Sequence, residues 1–282
     1  MPRRFRGVGT VMFLTRFISG IVLVILAIGT LWVGGWLTCL VMGLLSLVGE
    51  FEILRVYKRE KSILACFVYA ATVLYYVMLF LDRTDLLMPI MVIYLLVILA
   101  VYVIGFPKYT DKEIMAAFMS FYYVGVCLSY VYRIRVLPDG GFLVILVFIC
   151  AWGNDTLAYG TGRLIGKHKM SPVLSPKKSV EGLIGGIVGA GILAAVFGIF
   201  FNKFVEGVSI SNAPLWFGIV GMIGAVPAVI GDLAASAIKR NNDIKDYGKL
   251  IPGHGGVMDR FDSMIFTAPI IFYALDWVLG IR

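Results

Sequence analysis

From Val229 to Asp262 the chain reads VIGDLAASAIKRNNDIKDYGKLIPGHGGVMDRFD, in which carboxylates, cations and glycines recur at spacings suited to a charged phosphate. Asp232 stands deep in an apolar run. A carboxylate inside a membrane costs about 2.5–3.5 kcal/mol even on the lenient insertion scale, so it needs a partner or a purpose. On a helix it shares a face with Ser236 at i+4, and Lys239 and Arg240 follow further along. Those two cations suit a phosphate, and equally suit the cytoplasmic end of a membrane helix. After Lys245-Asp246, glycines flank His254 in Pro252-Gly253-His254-Gly255-Gly256, where backbone amides can approach a ligand closely. Asp259 and Asp262 then fall at i and i+3 on one helical face, with Arg260 between them. Acidic residues favour helix N-termini, so capping is one reading. Together with Asp232 they also read as a divalent-metal site, and oxygen ligands of this kind suit Mg²⁺ completed by substrate phosphates.

A second polar stretch lies upstream. Asp155 and Tyr159 stand at i and i+4 in WGNDTLAYGTG, a face that serves a site or a helix contact equally. Ser175-Pro-Lys-Lys178-Ser179-Val-Glu181-Gly supplies hydroxyls and two ammonium groups ahead of an apolar run, and its plain alternative is a solvated loop capped by Ser179. Glu50 and Glu52 read as interfacial partners of Arg55. His168 reads as a surface residue. Cys39, Cys66, Cys127 and Cys150 lie in apolar stretches with no CxxC spacing, and read as inert buried thiols.

The elements that carry these residues follow from composition. Of 282 residues, 60% are hydrophobic and 15% charged, against usual shares of about 45–50% and 25%. A soluble domain, a disordered chain and a disulfide scaffold are excluded. A bilayer core about 30 Å thick takes about 20 helical residues to cross. Apolar runs bounded by charges or turn residues predict an all-α, polytopic membrane protein with nine spans near 12–32, 35–54, 63–81, 86–106, 114–132, 141–162, 182–202, 214–238 and 263–281. The weakest boundary is Gly34-Gly35. No cleavage signal follows the first run, which reads as a retained span. With the N-terminus in the cytoplasm, all of the 25 basic residues except Arg83, Arg133, Arg135, Lys203 and Arg282 fall inside, predicting N-in, C-out. The net charge of +8 thus reflects topology, not nucleic-acid binding. Residues 1–140 are expected to form spans one to five, and residues 141–282 the region that carries the polar chemistry, with cytoplasmic loops 163–181 and 239–262.

The segment from Ser236 to Asp262 closely resembles the signature of the phosphatidate cytidylyltransferases (CDP-diacylglycerol synthases). Ser236, Lys239, Arg240, Lys245, Asp246, Gly248, Pro252, His254, Gly255, Gly256, Asp259, Arg260 and Asp262 each fall on the family pattern. Asp155-Thr-Leu-Ala-Tyr159 is similar to its Asp-Thr-x-Ala-Tyr span, with Gly153-Asn154 in place of the usual small apolar pair. Ser175 to Gly182 is similar to Ser-Pro-x-Lys-[Ser/Thr]-x-Glu-Gly. The resemblance implies cytidylyl transfer from CTP to phosphatidic acid, giving CDP-diacylglycerol and pyrophosphate. It implies Lys239, Arg240, Lys245, Asp246, His254 and Asp262 as catalytic. Substrate binding falls to Asp155, Tyr159, Ser175, Lys178, Ser179, Glu181, Ser236, Gly255, Gly256 and Arg260, and Mg²⁺ binding to Asp232 and Asp259. The implied setting is a bacterial inner membrane with the site facing the cytoplasm. Membrane lipids surround the chain, a homodimer is an admissible assembly, and nucleic acid is not a partner. The rivals are a membrane polyprenol kinase, with the same need for metal and phosphate contacts, and an ion transporter, which would carry matching polar motifs in both halves. The first 140 residues have none.

Overall fold

The computed structural model describes residues 4–205, 210–253 and 255–279, with side chains described over 19–205, 210–253 and 255–278. His254 and Arg282 therefore lie outside the described residues. Most of the described residues are helical. The helices are α1 (Arg4–Val33), α2 (Gly35–Val56), α3 (Ile63–Phe80), α4 (Leu87–Ile104), α5 (Asp111–Met119), α6 (Cys127–Arg135), α7 (Gly140–Leu143), α8 (Ile145–Phe148), α9 (Asn154–Ile165), α10 (Val180–Phe204), α11 (Ala213–Asn241) and α12 (Met258–Leu279). Wider π turns, Ser120–Val126 and Ile149–Gly153, join α5 to α6 and α8 to α9. A two-stranded antiparallel hairpin, β1 (Lys169–Ser171) and β2 (Ser175–Ser179), precedes α10.

Among the described residues, eight helical segments are long and apolar enough to cross a membrane, from Gly35–Val56 to Met258–Val278. They fall on expected spans two to nine. The expected first span coincides with α1, of which only the apolar part Ser19–Val33 lies among the described side chains. The Gly34-Gly35 break is real: Gly34 and Gly35 take φ of 68° and 49°, left-handed conformations that favour glycine. Two helices result rather than one bent one, and the Thr38 hydroxyl donates across the break to the Thr30 carbonyl at 3.1 Å.

Contacts divide the chain into two units, one of Met1–Phe121 with Ile244–Arg260, the other of Tyr122–Asp243 with Phe261–Arg282. The division at residue 140 read from the sequence thus falls within the second unit, and the glycine-rich loop belongs with the N-terminal helices.

In the first unit, Ser62 caps α3 by accepting from the Ala65 amide, and the reciprocal Thr110/Glu113 box opens α5. Glu113 also takes the Arg59 guanidinium at 2.6 Å. Glu50 is fully buried and accepts from the Thr72 hydroxyl, while Ser46 and the Tyr76 hydroxyl share a hydrogen bond of 2.9 Å. Among the described residues Arg55 forms no ion pair with either glutamate. The expected Glu50/Glu52/Arg55 cluster is corrected: each of these side chains is engaged elsewhere.

In the second unit, α9, α10 and α11 pack through small residues, as membrane helices do when backbones approach closely. A Cβ at Gly185 would overlap Thr161, and one at Gly221 would stand 2.6 Å from Ala194 Cβ and 2.9 Å from the Ala190 carbonyl oxygen. Gly221→Val is accordingly expected to cost about 1–3 kcal/mol by overpacking. Thermal unfolding in detergent checks this, and an unchanged Tm would show that α10 and α11 can separate freely. The four cysteines are free. Cys39 and Cys150 are buried as expected, but Cys66 is exposed on α3, because it lies on an outward face of that helix.

Candidate active site

The second unit holds one polar cluster. Asp232 lies past the middle of α11, just after Gly231, where a Cβ would strike the Asp262 carbonyl oxygen and Phe266. The absence of that Cβ lets α11 and α12 approach and draws Asp262 towards Asp232. Lys178, at the end of β2, pairs with the Asp232 carboxylate, and the Ser236 hydroxyl reaches the other oxygen at 3.5 Å, as the i+4 spacing predicts. Asp262 is 9% exposed and accepts from the Ser263 amide at 2.8 Å. The Ser263 hydroxyl in turn lies 3.4 Å from Asp155. Three carboxylates and at least one ammonium group thus share the end of this bundle.

Beside them opens a cleft of about 500 Å³, lined by Asp155, Tyr159, Arg163, Lys169, Ser175, Lys177, Lys178, Ser179 and Asp232, with Met170, Leu183 and Val229 among its apolar residues. The hairpin builds one wall. Glu181 holds it, accepting from the Lys167 amide at 3.0 Å and the His168 amide at 3.2 Å and meeting the His168 ring at 2.6 Å. Ser179 caps α10 by accepting from the Gly182 amide. Two residues expected to bind substrate therefore also hold the cleft wall. Tyr159 is 69% exposed, within 3.5 Å of the Arg163 guanidinium, and free to meet a ligand.

The first unit holds the second cluster. Ile251 and Gly255 exchange two backbone hydrogen bonds, of 2.9 and 3.1 Å. Gly253 and Gly255 take φ of 76° and 91°, where side chains are strained. Asp259, 9% exposed, accepts from the amides of Tyr247 at 2.8 Å and Gly256 at 3.0 Å through one oxygen. A polar cleft of about 690 Å³ lies over this loop, lined by Lys245, Asp246, Gly248, Lys249, Gly253, Gly255 and Arg260 among others. Lys245, Asp246 and Arg260 are exposed. Lys239 and Arg240 close α11 in the second unit, where cations complement the helix dipole.

A scan against protein families matches the description "Cytidylyltransferase family" over residues 14–278. The chain belongs to the cytidylyltransferase family. Similar proteins include a phosphatidate cytidylyltransferase of Staphylococcus haemolyticus, 32% identical over 91% of this chain and 96% of that one. One from Bacillus subtilis is 36% identical over 59% of this chain and 60% of its own length, and one from Rickettsia bellii is 37% identical over 58% and 71%. In this cytidylyltransferase family member the matched region takes in both clusters.

The donor set of this cytidylyltransferase suits the expected Mg²⁺. That ion is commonly held by one or two carboxylates and completed by phosphate oxygens and water. Among the described residues no three His, Cys, Asp or Glu groups stand close enough to cage a metal by themselves, so an ion here would depend on substrate oxygens.

Sequence reasoning missed three contributing residues. Arg163 lines the cleft from α9, one turn after Tyr159, Lys169 enters it on β1, and Glu52 in the first unit receives the amides of Val257 at 3.1 Å and Met258 at 2.9 Å. The one available signal for Glu52 was a second carboxylate near the end of an apolar run.

Proposed function

We infer that this chain transfers the cytidylyl group of CTP to phosphatidic acid, releasing pyrophosphate and forming CDP-diacylglycerol. The observation that carries this is the cationic cleft of the second unit, which places Lys178 against Asp232 beside apolar residues suited to the upper part of a lipid. A monoester oxygen of phosphatidic acid attacks the α-phosphorus of CTP, a new P–O bond forms, and the bond to the β-phosphate breaks. The monoester's second pKa of about 6 makes it largely dianionic at neutral pH, so no strong base is required. His254 then serves loop shape or a phosphate contact.

What remains is charge and alignment. Lys178, Lys239, Arg240, Lys245 and Arg260 meet phosphates, and the amides of the Gly255-Gly256 turn approach the nucleotide. Asp155, Tyr159, Ser175 and Ser236 bind substrate, and Asp246 belongs with the catalytic residues of the loop, as the family resemblance implies. Mg²⁺, when bound, would neutralise triphosphate charge and stabilise the leaving pyrophosphate; Asp232, with Asp262 next to it, would offer it a carboxylate in the second unit, and Asp259 would do so in the first. Incubating purified protein with labelled CTP, Mg²⁺ and phosphatidic acid tests the reading. A labelled CDP-lipid is expected, and label on a polyprenol instead, with ATP or CTP as donor, would favour the kinase.

The topology we propose has nine spans, the N-terminus and the polar loops in the cytoplasm of a bacterial cell and the C-terminus outside, supported by the distribution of basic residues. In a background without native cysteines, Lys249→Cys is expected to label slowly and Arg282→Cys quickly with an impermeant maleimide on intact cells. The reverse pattern would overturn this orientation.

A further inference from the structure

We propose that Glu52, on α2, is a positioning residue for the glycine-rich loop of this enzyme. The proposal rests on the function inferred above for its catalytic meaning, and on geometry within the first unit for its placement. Glu52 is 3% exposed. Its two oxygens each accept one amide, from Val257 at 3.1 Å and from Met258 at 2.9 Å. These amides open α12, where N–H groups lack partners within the helix and the dipole favours an anion. A side chain some two hundred residues upstream therefore caps the helix that carries Asp259 and Arg260.

The loop is shaped to this carboxylate. A Cβ on Gly248 or Gly256 would run into Glu52, and at Gly256 the three nearest atoms are all its carboxyl group. One turn along α2, the Arg55 guanidinium donates to the Tyr247 carbonyl at 2.7 Å, while the Tyr247 amide donates to Asp259. The residue between Lys245-Asp246 and Gly248 is thus held at both its N–H and its C=O. Glu52 touches neither substrate in this scheme. It acts by fixing where the backbone of Gly256 to Met258 lies, and through it where the Asp259 carboxylate points.

The test uses the purified full chain in detergent. For Glu52→Ala, kcat/KM for CTP is expected to fall about 10–100-fold, the range found when groups that orient ligating side chains are lost. The KM for CTP should rise while that for phosphatidic acid holds. Limited trypsin should cut faster after Lys249, with cleavage after Lys177 in the hairpin unchanged. Glu52→Gln, which keeps one acceptor oxygen, should fall between, and serves alone if the alanine variant cannot be purified. Gly256→Ala should cost activity in the wild type and lose most of that cost in the Glu52→Ala background, a non-additivity that reports direct contact. Unchanged cleavage after Lys249, or a rise at both sites together, would overturn the proposal, the latter marking Glu52 as a general fold residue. Wild-type protein that makes no CDP-lipid while Glu52→Ala still opens the loop selectively would sink the functional reading and leave the anchoring intact.

Discussion

Asp232→Asn is expected to lower turnover by about 10³-fold, comparable to the loss of a charge-stabilising catalytic group, with the protein still inserted and folded. The substitution keeps shape and removes charge. An uncharged amide in α11 is easier to insert than a carboxylate, so the variant should still reach the membrane, and thermal unfolding separates lost activity from lost stability. Lys178, paired with Asp232, would be left to bind phosphate without its counter-charge, and any Mg²⁺ requirement should move to higher concentration. The measurement is steady-state turnover across a Mg²⁺ titration, with thermal unfolding alongside. Near-normal activity at low Mg²⁺ would remove Asp232 from the proposed ligands and reduce it to a partner for Lys178.

Asp259→Asn should cost about 10²–10³-fold, and here the choice of variant separates two roles. The Asp259 oxygen that takes the Tyr247 and Gly256 amides has a counterpart in the asparagine carbonyl, so the loop keeps its form while the charge is lost. Asp259→Ala removes both, and trypsin should then cut faster after Lys249 as well. If asparagine retained full activity and alanine lost it, Asp259 would be an organiser of the loop and not a metal ligand.

Much of this arrangement is legible in the chain, for definite reasons. Spans two to nine are marked by apolar length, since crossing a bilayer demands about 20 residues whatever they pack against. Asp232 with Ser236, and Ser179 as a cap, follow from helical spacing alone. The hairpin of Lys169 to Ser179 was illegible: its strands are three and five residues long, rich in charge, and carry no alternation of apolar and polar residues. Glu52 was harder still. Its partners are backbone amides, which every residue offers, so no side-chain pattern marks them. Arg55 nearby supplied a cheaper explanation by ion pairing, and the structure instead aims that guanidinium at a carbonyl.

The bonds from Glu52 to Val257 and Met258 join positions 205 and 206 residues apart, and this imposes an order on biogenesis. Ribosomes add about 5–20 residues per second, so Glu52 enters the membrane interface roughly 10–40 s before its partners exist. Over that interval α2 carries a carboxylate with no amide to meet, held neutral or wetted at the bilayer edge. The glycine-rich loop closes only when the final helix has begun to emerge. A chain stalled before that point would hold most of its membrane helices without an anchored glycine-rich loop, and on the function proposed above it is expected to be inert towards nucleotide.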